Sequence, residues 1–147
     1  MAVNQKTNPD KSCYHKNRGG LIMTNEQRAE ELIGKLGFDF SKISKSYVVG
    51  LLQDEINNFQ DGSSEYIRLL CGYLYCLGDA SDIPLIKKAK YDINMDVGCM
   101  IDGEWITSLE NGGFEEKSTF TRSKNEIIES FIDYYSNFSA SDDEEYY

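Results

Sequence analysis

Histidine is almost absent from this sequence, since His15 is the single one among 147 residues. It lies in residues 1–22, which lack a periodic apolar pattern and are therefore expected to be disordered. Residues 18–20 can be encoded with the ribosome-binding sequence AGGAGG, at a normal distance before the codon of Met23. We therefore hypothesise that residues 1–22 are a translated leader that is not native. A functional chain beginning at Met23 has no histidine, which excludes Ser-His-Asp and Cys-His catalysis and histidine-liganded zinc.

The sequence also lacks metal-binding cysteine spacings, long apolar runs and a signal peptide. The four cysteines follow no ligand pattern, and two of them lie in a strongly apolar segment: Cys13, Cys71, Cys76 and Cys99. Buried free cysteines pack as small hydrophobic residues and are typical of a reducing compartment. No apolar run reaches the length of a membrane span, and residues 1–22 lack the apolar stretch of a signal peptide. We expect a cytoplasmic protein that does not bind membranes.

Basic residues are scarce, and their distribution is uneven. The chain has 15 lysines and arginines against 25 acidic residues, a net charge of −10. Residues 1–22 carry four basic residues and one acidic residue, so the remaining 125 residues carry −13. Such a field repels nucleic acid and anionic lipid and attracts basic surfaces. Two interpretations remain open: the acidity only maintains solubility, or the protein has a basic protein partner.

Hydrophobic residues make up 40% of the sequence, which is enough for a core that folds alone. We expect a single helical domain over residues 23–138 and an acidic, disordered tail at 139–147. Thr24 and Gln27 form the pattern of a capping box, so the first helix should begin just after Met23. Ser123 and Glu126 repeat that pattern and predict a last helix over 123–138.

Apolar residues at helical spacing predict three more helices between these two. One covers residues 44–59, and a buried central helix runs from Tyr66 to Leu77 with little polar character except Arg68. A shorter helix follows at 82–90, with Ser81 or Asp82 as its cap and a proline tolerated in its first turn. The pattern therefore predicts an all-α fold of about five or six antiparallel helices.

The segment 97–109 is ambiguous. Its apolar residues recur every three or four positions, which favours a helix: Val97, Met100, Ile101, Trp105 and Leu109. Asp102 and Gly103 between apolar residues are also the signal of a β-hairpin turn. A helix is the favoured interpretation, and a short hairpin at 97–109 remains the alternative.

Residues 71–92 resemble the turn of a HEAT-type helical repeat. In "LYCLGDASDIPLIKKAKYD", apolar residues end one helix, Gly78 and Asp79 form the break, and "IPLI" opens the next helix. A tight helix-turn-helix needs glycine at its break and apolar residues on both inward faces. No clear second copy is present, so a short HEAT-like helical stack is expected rather than a long solenoid.

The segment from "EYIRLLCGYLYCLGD" through "CMIDG" is similar to small acidic immunity proteins of bacterial contact-dependent growth inhibition and related polymorphic toxin systems. This resemblance implies a protein without catalytic activity, which binds one cognate toxin domain and blocks it. The family has no diagnostic motif, so the resemblance assigns no site residues.

Carboxylates and glycines offer only weak enzyme signals. Asp92, Asp96 and Asp102 are close in sequence, and hard cations prefer carboxylate oxygens, but their spacing matches no calcium-binding loop. The "GG" pairs lack the lysine and hydroxyl residue of a phosphate-binding loop. We therefore predict no catalytic, metal or cofactor site.

A protein-binding surface is better supported by the C-terminal third. Residues 102–147 contain twelve acidic and three basic residues, with Trp105, Phe114, Phe120 and Tyr134 interleaved as candidate anchors. The predicted partner-binding residues are Asp102, Glu104, Trp105, Glu110, Phe114, Glu115 and Glu116. Trp105 has the alternative of a core position on its apolar stripe, and Glu115 and Glu116 that of an ordinary loop.

The function expected from these features is inhibition of a basic toxin, of the kind that attacks nucleic acid. Carboxylates of the inhibitor would lie where the phosphates of the substrate bind. We expect the free protein to be a monomer that binds no nucleic acid. The alternatives are an acidic adaptor or nucleic-acid mimic that inhibits another basic protein and, more distantly, an enzyme with a carboxylate or metal site.

Overall fold

Side-chain caps mark where most helices begin. The computed structural model describes residues 17, 18, 21–112 and 122–140 and is all-α, as predicted. Its helices are α1 (Asn25–Leu36), α2 (Lys45–Asn57), α3 (Glu65–Leu77), α4 (Ile83–Asp92), α5 (Met95–Met100), α6 (Gly103–Glu110) and α7 (Lys124–Ser136). Short 3-10 turns occupy Phe40–Lys42 and Ala80–Asp82. The capping boxes predicted at Thr24 and Ser123 are both present.

The predicted leader and tail lie largely outside the described residues. In the leader the structure describes two short strands, β1 (Asn17–Arg18) and β2 (Leu21–Ile22), which pair antiparallel with Asn17 opposite Ile22. In the tail it describes Ser139 and Ala140. The backbone N–H of Ala140 donates to Glu30 of α1 at 3.4 Å. The limits of the single domain, 23–138, stay a prediction.

Helix α3 is the buried centre predicted from its apolar composition. It packs against α1, α2, α4, α5 and α6, and every residue from Leu69 to Tyr75 is buried. Phe131 of α7 packs edge-on against Tyr73, with ring centroids 5.4 Å apart. A side chain at Gly72 would overlap Phe131, because an added Cβ would lie 2.3 Å from Phe131 Cε1. The core therefore depends on the close approach of the Phe131 ring to Gly72 of α3.

The helix-turn-helix expected over 71–92 is formed by α3, the Ala80–Asp82 turn and α4. Its likeness to a HEAT repeat stays a prediction. The expected cap of α4 was wrong in one respect: Asp82 occupies the cap position, but its side chain does not cap the helix. Instead it accepts from the Asp79 N–H at 2.9 Å and pairs with Lys45 at 2.7 Å, so it closes the turn and ties α2 to it.

The segment 97–109 is neither a hairpin nor one continuous helix. It divides into α5 and α6 at Ile101 and Asp102, which both have extended backbone conformations. Lys90 of α4 donates to the Gly98 and Ile101 carbonyls at 2.6 and 2.5 Å, which ends α5, while the Asp102 carboxylate caps α6. This division raises the count to seven α-helices in the described part of the chain, above the predicted five or six.

None of the described helices combines the length and hydrophobicity that crossing a bilayer would require.

Candidate protein-binding surface

Four of the seven predicted partner-binding residues belong to α6 or its cap. These are Asp102, Glu104, Trp105 and Glu110. The other three, Phe114, Glu115 and Glu116, lie outside the described residues. Phe120, the further aromatic candidate, also lies outside them.

Trp105 is a core residue and does not offer its ring to a partner. Its exposed fraction is 2%, and its indole stacks on Tyr75 with centroids 6.3 Å apart. It also packs edge-on against Phe131. The side chain follows the apolar stripe that it shares with the buried Ile101 and Leu109. Its prediction as a surface anchor was therefore wrong, and the alternative, a core position, is confirmed.

Glu104 is committed to an ion pair within the chain. Arg122 donates to it through Nη2 at 2.7 Å and Nε at 3.1 Å, and Arg122 Nη1 donates to Ser130 Oγ at 2.6 Å. These hydrogen bonds lower the pKa of the Glu104 carboxyl despite the opposing effect of burial. The arrangement ties α6 to Arg122, two positions before α7, so the Glu104 charge is largely neutralised before any partner arrives.

Glu110 and Asp102 are also engaged, though less strongly. Glu110 lies 3.6 Å from Lys87 Nζ, and both side chains are about half exposed. Asp102 accepts the Glu104 N–H at 2.9 Å as the α6 cap. The described part of the predicted surface is therefore less negative than the sequence alone indicates.

A different surface lies where α3, α4, α5 and α7 meet. It contains an open groove of about 520 Å³, which we call the α5–α7 groove, lined by Arg68, Lys90, Gly98, Cys99, Met100, Ile101, Asp102, Gly103 and Tyr134. Asp102 is the one predicted site residue in this lining.

The two cations of the groove are held by the protein itself. Lys90 donates to the two carbonyls that end α5. Arg68 donates to the Met100 carbonyl at 3.1 Å and to the Tyr135 hydroxyl at 2.7 Å. The Arg68 guanidinium also lies 4.6 Å from the Tyr134 ring centroid. Both cations therefore act as supports that fix the groove walls.

Tyr134 stands at the edge of the groove in a fixed position. Its hydroxyl donates to Glu65 Oε2 at 2.6 Å, and the neighbouring Tyr135 hydroxyl lies 3.0 Å from Glu65 Oε1. Partial burial and the hydrogen bond to Glu65 raise the pKa of the Tyr134 phenol to about 12. Burial raises the pKa of Tyr135 further. Both phenols are therefore neutral, and the Tyr134 ring is held with 44% of its surface exposed.

Large apolar side chains are exposed around this groove. Met95, Tyr91 and Met100 are 80%, 66% and 40% exposed. Met95 and the groove residue Cys99 are four positions apart on α5, so they lie on one helical face. Tyr91 adjoins the groove through Lys90, whose Nζ lies 5.6 Å from its ring centroid. We call the exposed residues Tyr91, Met95, Met100 and Tyr134 the apolar edge.

Carboxylates interrupt that edge. Asp92 and Asp96 are exposed, and in the part of the chain that the structure describes neither takes part in an ion pair. Asp133, next to Tyr134, is exposed as well. The weak metal hypothesis for Asp92, Asp96 and Asp102 finds no support here, because the described residues contain no group of three metal-ligating side chains.

Sequence reasoning missed most of this edge. Met100 was counted in the apolar stripe of one helix, but it is the last residue of α5 and is 40% exposed. Tyr134 was named as an aromatic candidate, and the available signal was that it is not among the inward residues of α7, such as Phe131 and Tyr135.

The chain matches no protein-family model, no curated protein and no solved structure.

Proposed function

We propose that this protein is an immunity protein, a cytoplasmic inhibitor that binds a basic toxin domain and catalyses no reaction. The observation that carries the proposal is the edge of α4 and α5, where exposed Met95 and Tyr91 alternate with Asp92 and Asp96. Protein interfaces are enriched in tyrosine and methionine, and carboxylates without a cationic partner steer a basic protein toward them.

The charge of the whole chain supports this proposal. At a net charge of −10, the field draws a basic toxin and repels the nucleic acid that such a toxin would cleave. Bound carboxylates would then take the place of substrate phosphates, while the body of the inhibitor excludes substrate sterically. Inhibition by this mechanism is stoichiometric and weakens as salt screens the charges.

The proposed function requires that the gene immediately upstream encodes the toxin, so the test is coexpression with the product of that gene, called here the upstream toxin domain. The expected result is rescue of growth together with a complex that copurifies through gel filtration. A variant with Asp92→Asn and Asp96→Asn should associate several-fold more slowly at low salt, since rim charges act mainly on the association rate. The matched control is Asp54→Asn, which removes an exposed carboxylate of α2. Unrescued growth without a complex would contradict the proposed function.

A further inference from the structure

Resting on the function proposed above, we propose that the α5–α7 groove is where the partner docks. Its occupant is an apolar side chain that projects from a basic segment of the toxin domain. The side chain enters between Met100 and Tyr134, and basic residues on either side of it meet the carboxylates of the edge.

The walls of the groove favour an apolar occupant. Met100 and Tyr134 are exposed on opposite elements, α5 and α7, and both line the groove. Methionine adapts its shape to the group it contacts, whereas a tyrosine ring presents a large rigid face. Burying both side chains against an apolar group removes hydrophobic surface from water without leaving a polar group unpaired.

The cations at the base of the groove do not favour an anionic occupant. The Lys90 ammonium is engaged with two carbonyl oxygens. The Arg68 guanidinium lies between the rings of Trp105, Tyr134 and Tyr135, at 5.3, 4.6 and 5.3 Å from their centroids. Both cations thus already have partners within the chain, and an incoming carboxylate would also meet Asp102 in the same lining.

The surroundings of the groove favour a basic segment. Asp92 follows the groove residue Lys90 by two positions on α4, and Asp96 precedes Gly98 by two positions on α5. Asp133 is next to the groove residue Tyr134 on α7. In the described part of the chain none of these three carboxylates has an ion-pair partner. Lysines or arginines of the toxin on both sides of the inserted side chain would supply those partners.

The groove is preorganised for this contact. Glu65 fixes the Tyr134 hydroxyl, and Arg68 fixes the end of α5 through the Met100 carbonyl. A side chain that is already held loses little conformational entropy on binding, which increases affinity for a given contact area. Tyr134 is therefore expected to be an anchor of the interface.

The first test measures the dissociation constant of the complex with the upstream toxin domain for single variants of the full chain. Met100→Ala and Tyr134→Ala should each weaken binding by about tenfold or more, the size expected for central interface residues. Tyr134→Phe, which keeps the ring, should stay within about threefold of the wild type. The matched control is Tyr47→Ala, because Tyr47 is 38% exposed and belongs to α2, which does not line the groove.

A second measurement uses the wild-type chain and so does not depend on how a variant folds. Cys99 is exposed in the groove, whereas Cys71 is buried and Cys76 is half-buried. Alkylation by iodoacetamide is followed for each cysteine by peptide mass spectrometry, with and without the toxin domain. Occupation of the groove should slow alkylation of Cys99 by tenfold or more.

The outcomes separate this inference from the function on which it rests. If the toxin binds, but the two alanine variants keep the wild-type dissociation constant and the toxin does not slow alkylation of Cys99, docking in the groove is overturned and the proposed function stands. If Cys99 is protected without toxin in a dimer of this chain, the occupant is a second copy and the inference is overturned. If no complex forms at all, the proposed function fails and the inference fails with it.

Discussion

The hydroxyl of Tyr134 lies 2.6 Å from Glu65 Oε2, and this hydrogen bond joins the exposed face of α7 to the first turn of α3. The same carboxylate receives the Tyr135 hydroxyl on its other oxygen, while Arg68 donates to Tyr135. One glutamate thus positions two consecutive tyrosines, of which one is buried and one forms the wall of the groove.

The two tyrosines should differ in their effect on stability. Tyr135→Phe should lower the free energy of unfolding by about 1–3 kcal/mol, because it leaves partly buried polar groups of Glu65 and Arg68 without this partner. Tyr134→Phe should cost at most about 1 kcal/mol, since water can replace its hydroxyl at the half-exposed edge. Urea denaturation of both variants measures this difference. Equal losses of unfolding free energy would contradict a structural role for the Tyr135 hydroxyl that the Tyr134 hydroxyl does not share.

Gly72 should be intolerant of a methyl group where Gly34 is not. Gly72→Ala should destabilise the protein by roughly 1–3 kcal/mol, because the added Cβ overlaps the Phe131 ring and forces α7 away from α3. Gly34→Ala in α1 is the control: its Cβ would meet nothing within 4 Å, and it should stabilise the protein by about 0.5–1 kcal/mol. Thermal unfolding of the two variants measures whether each is more or less stable than the wild type. A similar loss of stability in both would argue against the contact between Gly72 and Phe131.

The Arg28–Glu55 pair should be important for stability. Glu55 is buried, binds Arg28 through both oxygens at 2.7 and 2.9 Å, and accepts the Gln60 N–H. Glu55→Gln should cost up to about 3–5 kcal/mol, because Arg28 then loses its charged partner in a poorly solvated site. Glu110→Gln removes the half-exposed pair with Lys87 and should change stability by less than about 1 kcal/mol. Comparable losses in chemical denaturation would refute this ranking.

Glu104 should make the free energy of unfolding depend on pH in the acidic range. Its pKa is lowered in the folded state by Arg122, so the stabilisation is present above its ordinary value of 4.5 and is lost as the pH falls through the lowered value. The pair is partly exposed, so the loss should be only about 1 kcal/mol. Unfolding free energies at neutral and acidic pH should show a smaller acid loss in Glu104→Gln than in the wild type. An identical pH dependence in both would show that the pair does not contribute.

Local chemistry made much of the fold predictable. The caps at Thr24 and Ser123 act within four residues, and the apolar surface of α3 is continuous along the chain, so sequence alone identified both. The break between α5 and α6 depends instead on Lys90, which reaches the last carbonyls of α5 from another helix. The spacing of apolar residues does not indicate a contact from another helix, and the sequence therefore favoured one helix instead of two short ones.

The candidate surface was harder to predict for the same reason. Glu104 appears in sequence as one of many unpaired carboxylates, and only the fold brings Arg122 to it from 18 residues away. Met100 appears in sequence as part of the apolar stripe, yet its side chain at the end of α5 is exposed. The exposed apolar edge therefore had no simple signature in the sequence, although its acidic character did.

The most direct measurement titrates the purified full-length protein into the upstream toxin domain and follows cleavage of nucleic acid by that domain. For a stoichiometric inhibitor, we expect activity to fall linearly to zero at one molar equivalent. Inhibition should weaken as the salt concentration rises, because charge attraction drives association. Full toxin activity in the presence of a large molar excess of this protein at low salt would contradict its proposed function as an inhibitor.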